Sequence, residues 1–148
     1  MIINLEQNDL QKDIKVSIIY PVKNKTVERI VSLLKSVDAQ IECYSDDIVK
    51  PVNVSDIFYI ESVDGKTVVC CEKDKYIVKS RLYQIYEKLR DNGFIQISKY
   101  CVLNINKLER FRPLDNYRLE AVLTNGVYLC ITRKYISGIK QILQEKNK

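Results

Sequence analysis

Histidine is absent from the 148-residue chain, and glycine, proline and long apolar runs are scarce. Without histidine, nucleophilic catalysis by Ser–His or Cys–His pairs is excluded, and only thiolates could form a zinc site. Four glycines and three prolines leave no Gly/Ser-rich or Pro-rich linker. No apolar stretch is long enough to cross a bilayer, and the N-terminus lacks the basic start and apolar core of a signal peptide. These absences predict a cytoplasmic protein.

The cysteines indicate buried side chains rather than a reactive or metal-binding site. Their number is odd and no C-x-x-C pair occurs, and each lies in an apolar run: Cys43, Cys70, Cys71, Cys101 and Cys130. The chain also lacks a phosphate-binding glycine loop and the G-x-S-x-G and H-E-x-x-H motifs. The sequence therefore predicts no enzyme, no catalytic residue, no metal site, no cofactor and no small-molecule ligand.

Charge is distributed unevenly along the chain. Residues 1–65 contain 7 Lys/Arg and 11 Asp/Glu, a net charge of −4, whereas residues 66–148 contain 17 and 8, a net charge of +9. Such asymmetry is typical of a domain that meets a polyanion, most commonly nucleic acid. The alternative is that these Lys and Arg side chains only keep the surface solvated and bind no specific partner. Net charge bears on non-specific association and not on fold.

The first part of the chain, residues 1–47, predicts a small strand–helix–strand cap. Lys15–Tyr20 is rich in the β-branched and aromatic residues of a strand. Thr26–Val37 places its apolar residues on one face of a helix, and Gln40–Tyr44 is a second strand candidate. An acidic stretch ends at residues 45–50, and Pro51 then favours an extended chain before it, so we expect a boundary between units 1–47 and 48–148.

Residues 48–148 predict a mainly antiparallel β domain with helices. The pairs Asp64-Gly65 and Asn125-Gly126 predict hairpin turns. A helix is expected from an N-cap at Ser80 to Gly93, which supplies a left-handed stop. Strands are predicted at Ile57–Ser62, Thr67–Glu72, Lys75–Val78, Phe94–Ile97, Cys101–Ile105, Leu108–Pro113, Tyr117–Leu123 and Tyr128–Ile131, and a closing helix at Ile136–Leu143.

Three motifs in this part of the chain resemble those of the LytTR family of DNA-binding domains. Asp56–Lys66 resembles the opening hairpin of the family, Phe94–Asn104 its central motif, and Leu123–Gly126 with Ile131–Tyr135 its closing motif. They occur in the order and at the spacing of the family, across about two-thirds of the chain. The resemblance implies an elongated set of small antiparallel sheets with a helix, which places loops rather than a recognition helix into successive major grooves.

The resemblance also implies which residues contact double-stranded DNA. Arg and Lys can pair with guanine, and Ser and Thr hydroxyls can adapt to either base. Asn104 is instead expected to hold loop backbone by side-chain hydrogen bonds. Gln96 stands where the family often has arginine, and Ser98 where many members have histidine. The expected base contacts are Lys66, Thr67, Ser98, Lys99 and Arg133, and the expected phosphate contacts are Arg118, Lys134 and Tyr135.

From the resemblance we expect a transcription regulator that binds direct repeats as a homodimer. Most relatives carry a phosphorylated receiver domain, but the roughly 45 residues before this domain are too few for one. Some stand-alone members have an inhibitory membrane-protein partner, which is a further expectation. The alternative, suggested by Gln96 and the altered central loop, is a protein-interaction module that uses the basic loops and has lost DNA binding. The target promoter and the sign of regulation are left open.

Overall fold

The computed structural model describes the backbone of residues 1–146 and the side chains of residues 1–141. The predicted mainly antiparallel β fold with helices is confirmed. The helices are α1 (Lys25–Val37), α2 (Leu82–Leu89) and α3 (Arg133–Lys146). The strands are β1 (Gln40–Ser45), β2 (Ile48–Asn53), β3 (Tyr59–Val63), β4 (Lys66–Cys70), β5 (Lys75–Val78), β6 (Phe94–Ser98), β7 (Cys101–Asn104), β8 (Leu108–Leu114), β9 (Arg118–Leu123) and β10 (Tyr128–Ile131).

The strands form two antiparallel sheets. The large sheet has seven strands in the order β2-β1-β5-β4-β3-β7-β6, and the small sheet has three in the order β10-β9-β8. Within the large sheet, the β3–β4 and β6–β7 hairpins lie side by side because β3 also pairs with β7. The turns of these two hairpins therefore lie at the same end of the sheet.

Two apolar cores lie on opposite faces of the large sheet. Successive residues of a strand point to opposite faces, so Ile60 of β3 enters the first core and its neighbour Tyr59 enters the second. The first core includes Ile85 and Leu89 of α2, and the second includes residues of the small sheet and α3. Burial on both faces explains why β3, β4 and β7 read as nearly continuous apolar runs.

The predicted strand at residues 15–20 is wrong, because the structure has no regular element before α1. A strand needs a neighbour for its hydrogen bonds. The cap strand that was expected to lie beside it, β1, is instead occupied on one side by β2 and on the other by β5. Lys15–Tyr20, despite its high β-propensity, thus has no strand partner among the residues that the structure describes.

The predicted cap differs from the structure at its other end too, because β2 was not predicted. Pro51 lies inside β2, where it is tolerated because β2 is the outer strand of the sheet. The β1–β2 hairpin spans the expected boundary at residue 47, and both strands belong to the large sheet. The division into units 1–47 and 48–148 stays a prediction.

The stop at Gly93 agrees with the sequence, whereas the starts of α2 and α3 differ from it. Gly93 has φ 89°, which confirms the predicted left-handed stop. The N-cap of α2 is Arg81 rather than Ser80, and the Arg81 N–H donates to Gln84 Oε1 at 2.9 Å. Helix α3 begins three residues before the predicted Ile136, because Arg133 and Lys134 are good helix formers that extend its first turn.

Candidate nucleic-acid interface

Three turns with basic residues lie near one another at one end of the molecule. The β3–β4 turn precedes Lys66, and the β6–β7 turn contains Lys99. A hydrogen bond joins these turns directly, since the Ser62 N–H donates to the Tyr100 carbonyl at 2.8 Å. The strand register and this bond together fix Lys66 and Lys99 at the same end of the large sheet.

The β6–β7 turn is a tight connection between Ser98 and Cys101, which are paired across the two strands. The Tyr100 N–H donates to Ser98 Oγ at 3.2 Å, so the serine side chain stabilises the turn by a hydrogen bond to its backbone. An irregularity in the ladder between Gln96 and Ser98 precedes the turn. Such bulges redirect a strand end and re-aim its side chains. Lys99 is exposed at the tip, with Nζ 5.5 Å from the centre of the Tyr100 ring.

The small sheet brings a third turn, between β8 and β9, to the same end. The Thr132 N–H donates to the Ile97 carbonyl at 3.0 Å, which ties the start of α3 to the end of β6. Next along the chain, Arg133 Nη2 donates to the Asn116 carbonyl in the β8–β9 turn at 3.1 Å. Asn116 and Tyr117 both have positive φ, of 64° and 58°, which few residues other than glycine adopt. Arg133 thus bridges α3 and this turn.

Seven of the eight predicted DNA-contacting side chains are at least partly accessible. Ser98 and Tyr135 are half-buried, and the fully exposed ones are Lys66, Lys99, Arg118, Arg133 and Lys134. Thr67 is the exception, because its side chain is only 5% exposed. It follows Lys66 in β4 and therefore points to the opposite face of the sheet. A base contact by the Thr67 hydroxyl does not agree with this burial.

Two further basic residues at this end were missed by the sequence reasoning. Val78, the last residue of β5, pairs with Thr67, so the chain leaving β5 runs beside Lys66. Lys79 and Arg81 lie on that stretch and are exposed. Part of the signal was available, because both strands were predicted and their antiparallel pairing brings the chain after Val78 beside Lys66.

The balance of charge at this end favours a polyanion. Seven basic residues lie in or beside the three turns and the start of α3, against Asp64 and Asp115 in the same turns. Affinity for a duplex comes from summed phosphate contacts, so the group matters more than any one member. The basic residues are Lys66, Lys79, Arg81, Lys99, Arg118, Arg133 and Lys134.

Asn104 has the structural role expected from the sequence. Its side chain is 2% exposed. The amide donates to the Ile57 carbonyl at 2.8 Å, and the side-chain oxygen accepts the Asn106 N–H at 3.0 Å. These bonds hold the end of β7 to the chain that enters β3, at the opposite end of the hairpins from the basic turns.

A second concave region, of about 740 Å³, lies beside the β4–β5 turn. Lys50 is the best-defined cation there, since its Nζ donates to the Tyr76 hydroxyl at 3.1 Å. The region has as many acidic as basic side chains, so its charge does not favour a polyanion. The acidic side chains are Asp56, Glu72 and Asp74, and the basic ones are Lys50, Lys73 and Lys107.

The described part of the chain has neither a metal-binding cluster nor a membrane-spanning helix. No group of three or more cysteine or carboxylate side chains within it could hold a metal ion. None of its helices has the length and apolar character that crossing a bilayer requires. Four of the five thiols are buried or half-buried, but Cys130 is exposed, so its predicted burial is wrong.

The model of the LytTr DNA-binding domain matches residues 47–144, and the chain therefore belongs to this family of DNA-binding domains. The family is one of DNA-binding domains and not of enzymes. The fold is similar to that of a solved LytTr DNA-binding domain from Bacillus cereus, with a TM-score of 0.67 and 23% identity. That match covers 72% of this chain and 97% of the other.

Relatives of two kinds were found by sequence. The sensory transduction protein LytT of Bacillus cereus is 24% identical over 116 residues, which are 75% of this chain and 47% of the relative. LytT of Bacillus anthracis is 27% identical over 93 residues, 63% of this chain and 38% of the relative. The chain thus spans about half or less of the length of these relatives.

A Staphylococcus aureus protein, described as an uncharacterized HTH-type transcriptional regulator, is similar over nearly its whole length. It is 26% identical over 145 residues, which are 97% of this chain and 98% of the relative. In residues 1–146 of the present chain, α2 is followed by a 3₁₀ turn and then by β6. A helix-turn-helix needs a second α-helix directly after the first, and within residues 1–146 no α-helix follows α2 in this way.

Proposed function

We propose that the protein is a sequence-specific transcription regulator that reads the major groove of double-stranded DNA with its turns. The single observation that carries this is the convergence of three basic turns at one end of a LytTr fold, joined by the Ser62–Tyr100, Thr132–Ile97 and Arg133–Asn116 hydrogen bonds. Two copies on direct repeats, and a cytoplasmic location, complete the proposal. An inhibitory membrane-protein partner stays a prediction of the family resemblance.

Arg133 is proposed as the main base contact. A guanidinium has five N–H donors in a fixed fork, and the bond to the Asn116 carbonyl uses only one of its nitrogens. The remaining donors can pair with guanine O6 and N7 while the bond to the turn keeps the group oriented. Lys66 and Lys99 are proposed to contact bases from the two hairpin tips.

Ser98 and the flanking cations are proposed to have supporting roles. Because Ser98 Oγ accepts the Tyr100 N–H, its own hydroxyl proton remains available to a base acceptor. Phosphate contacts are assigned to Arg118, Lys134 and Tyr135, together with Lys79 and Arg81. Such contacts set register and orientation and do not read sequence.

Selection of bound sites from a random duplex pool tests the function. Recovery of spaced direct repeats is expected, followed by salt-dependent binding of the selected duplex. Absence of binding at low salt, or binding without salt dependence, would contradict the proposal and favour the protein-interaction module. That alternative draws on Gln96 and the altered β6–β7 turn.

Two substitutions separate base contacts from phosphate contacts. Arg133→Ala is expected to cost roughly 1–3 kcal/mol in specific binding and to relax preference at one base position. Lys134→Ala is expected to weaken binding to all duplexes and to lower the salt slope by about one. Arg90→Ala is a suitable control, because Arg90 lies beyond the far end of α2 in an exposed ion pair with Glu87. Unchanged base preference in Arg133→Ala would remove that residue from the reading site.

A further inference from the structure

Tyr117, in the β8–β9 turn, has an unusual backbone conformation for its residue type. Five residues other than glycine have positive φ in the part of the chain that the structure describes, and four of them are Asp or Asn. Those two types tolerate the left-handed region because their short polar side chains can hydrogen-bond locally. A tyrosine has no such side chain, and its bulk makes this conformation costly. Strained residues cluster at functional sites, so Tyr117 is a candidate for a functional role.

Two arginines bind the backbone of this turn. Arg133 Nη2 donates to the Asn116 carbonyl at 3.1 Å. Arg118 Nε donates to the Asp115 carbonyl at 3.3 Å. These bonds support the strained conformation of Tyr117 from both sides of the turn. The tyrosine is therefore placed beside two of the positive charges that favour a polyanion at this end of the molecule.

The ring of Tyr117 contributes little to the packing of the fold. Tyr117 is 91% exposed, more than any other tyrosine of the chain. Covering such a ring on binding is favourable, because apolar surface is removed from water. In the major groove of DNA, the apolar group on the base edges is the C5 methyl of thymine, which apolar and aromatic side chains contact. A thymine methyl is therefore the group that best matches this ring.

We propose that Tyr117 is a further DNA-contacting residue, whose ring packs against a thymine methyl beside the base that Arg133 contacts. The inference rests on the proposed function, because it requires a duplex at the three turns. Consecutive Cα atoms are about 3.8 Å apart, and bases along one strand are about 3.4 Å apart. Since Tyr117 directly follows the residue that Arg133 binds, its ring is expected roughly one or two base steps from the Arg133 contact.

Deoxyuridine, which lacks the C5 methyl, tests the contact in the duplex selected by the wild type. Replacing the thymine beside the base lost in Arg133→Ala is expected to weaken wild-type binding about fourfold, as for one buried methyl group. Tyr117→Gly is expected to bind the thymine duplex roughly tenfold more weakly than the wild type and to bind both duplexes equally. Tyr117→Phe keeps the ring and should keep the preference for thymine.

Tyr20→Gly is the matched control, because Tyr20 is also exposed but lies in the groove beside α1. It is expected to bind both duplexes as the wild type does. Urea unfolding separates DNA contact from a structural role. Since glycine adopts positive φ without steric cost, Tyr117→Gly is expected to unfold at the same urea concentration as the wild type or at a higher one.

Three results would overturn the inference while leaving the proposed function standing. The first is a wild type that binds selectively but does not distinguish thymine from deoxyuridine, or a Tyr117→Gly chain that still does. The second is a lowered urea midpoint in Tyr117→Gly, which would show that the ring supports the fold. The third is a loss of affinity only on duplexes with two repeats, which would place the ring against a neighbouring copy. A wild type that binds no duplex would refute the proposed function and this inference together.

Discussion

Replacing Asn104 by alanine separates a structural role from DNA contact. Alanine removes the bond to the Ile57 carbonyl at 2.8 Å and the bond from the Asn106 N–H at 3.0 Å. Each net bond is worth about 1 kcal/mol, and a buried group left without a partner costs about 1–3 kcal/mol. The free energy of unfolding is therefore expected to fall by about 2–5 kcal/mol. For a chain of this size, that lowers the Tm by roughly 5–15 °C.

Urea unfolding followed by circular dichroism measures this change, with an unaltered m-value as the sign that compactness is preserved. Asn53→Ala is the control, because Asn53 is an exposed residue whose Oδ1 accepts a bond from Gln40 at 2.8 Å. It should change stability by no more than about 0.5 kcal/mol. The reasoning is refuted if Asn104→Ala is as stable as the control. It is also refuted if the folded variant loses specific DNA affinity while stability is retained.

The remaining predictions concern glycines and thiols. Gly93→Ala should destabilise the chain more than Gly126→Ala. Both glycines have positive φ, but only at Gly93 would an added Cβ lie 2.9 Å from Ser32 Oγ. Equal losses in the free energy of unfolding, measured with urea, would contradict this. Burial raises the pKa of Cys43 to about 11 and of Cys101 to about 12 from 9.0. These thiols therefore ionise at lower pH in the unfolded chain than in the folded one. The free energy of unfolding is expected to be unaffected by them below pH 9 and to fall as the pH rises toward 11–12. A constant free energy of unfolding across that range would argue against buried thiols. A thiol reagent should modify Cys130 first in the folded protein.

Local signals in the sequence were sufficient for most of the large sheet. Asp64-Gly65 marks the β3–β4 turn because few other pairs adopt positive φ so readily. The strand Lys75–Val78 is observed with the predicted bounds, and Gly93 ends the helical region as expected. In each case residues close in sequence determine the conformation.

The errors arise where distant residues decide. Lys15–Tyr20 has the composition of a strand, but it pairs with none of the strands that the structure describes. The strand β2 contains Pro51, which argues against a strand except at a sheet edge, and edge position is a property of the whole topology. Thr67 is inaccessible because it points to a covered face of the sheet, which the motif resemblance does not specify.

The sequence predicted most of the basic residues of the candidate interface but not the hydrogen bonds that join its turns. Lys66, Lys99 and Arg133 were named from motifs far apart in sequence. The hydrogen bonds that join their turns are accepted by the backbone carbonyls of Tyr100, Ile97 and Asn116. Every residue has a backbone carbonyl, so the residue types do not reveal these partners. Lys79 and Arg81 were missed because they belong to none of the three motifs and enter only through strand register.

The side-by-side arrangement of the β3–β4 and β6–β7 hairpins sets a length scale. Strands lie about 4.8 Å apart, so the centres of adjacent hairpins are separated by about 10 Å. Bases along one DNA strand are spaced by 3.4 Å, and the major groove is about 12 Å wide. Under the proposed function, this separation would place the Lys66 and Lys99 tips roughly three base steps apart on the DNA. Inserting one residue in either turn should change how far that turn extends from the sheet. The distance between the two hairpins should stay the same as long as the β3–β7 pairing is intact.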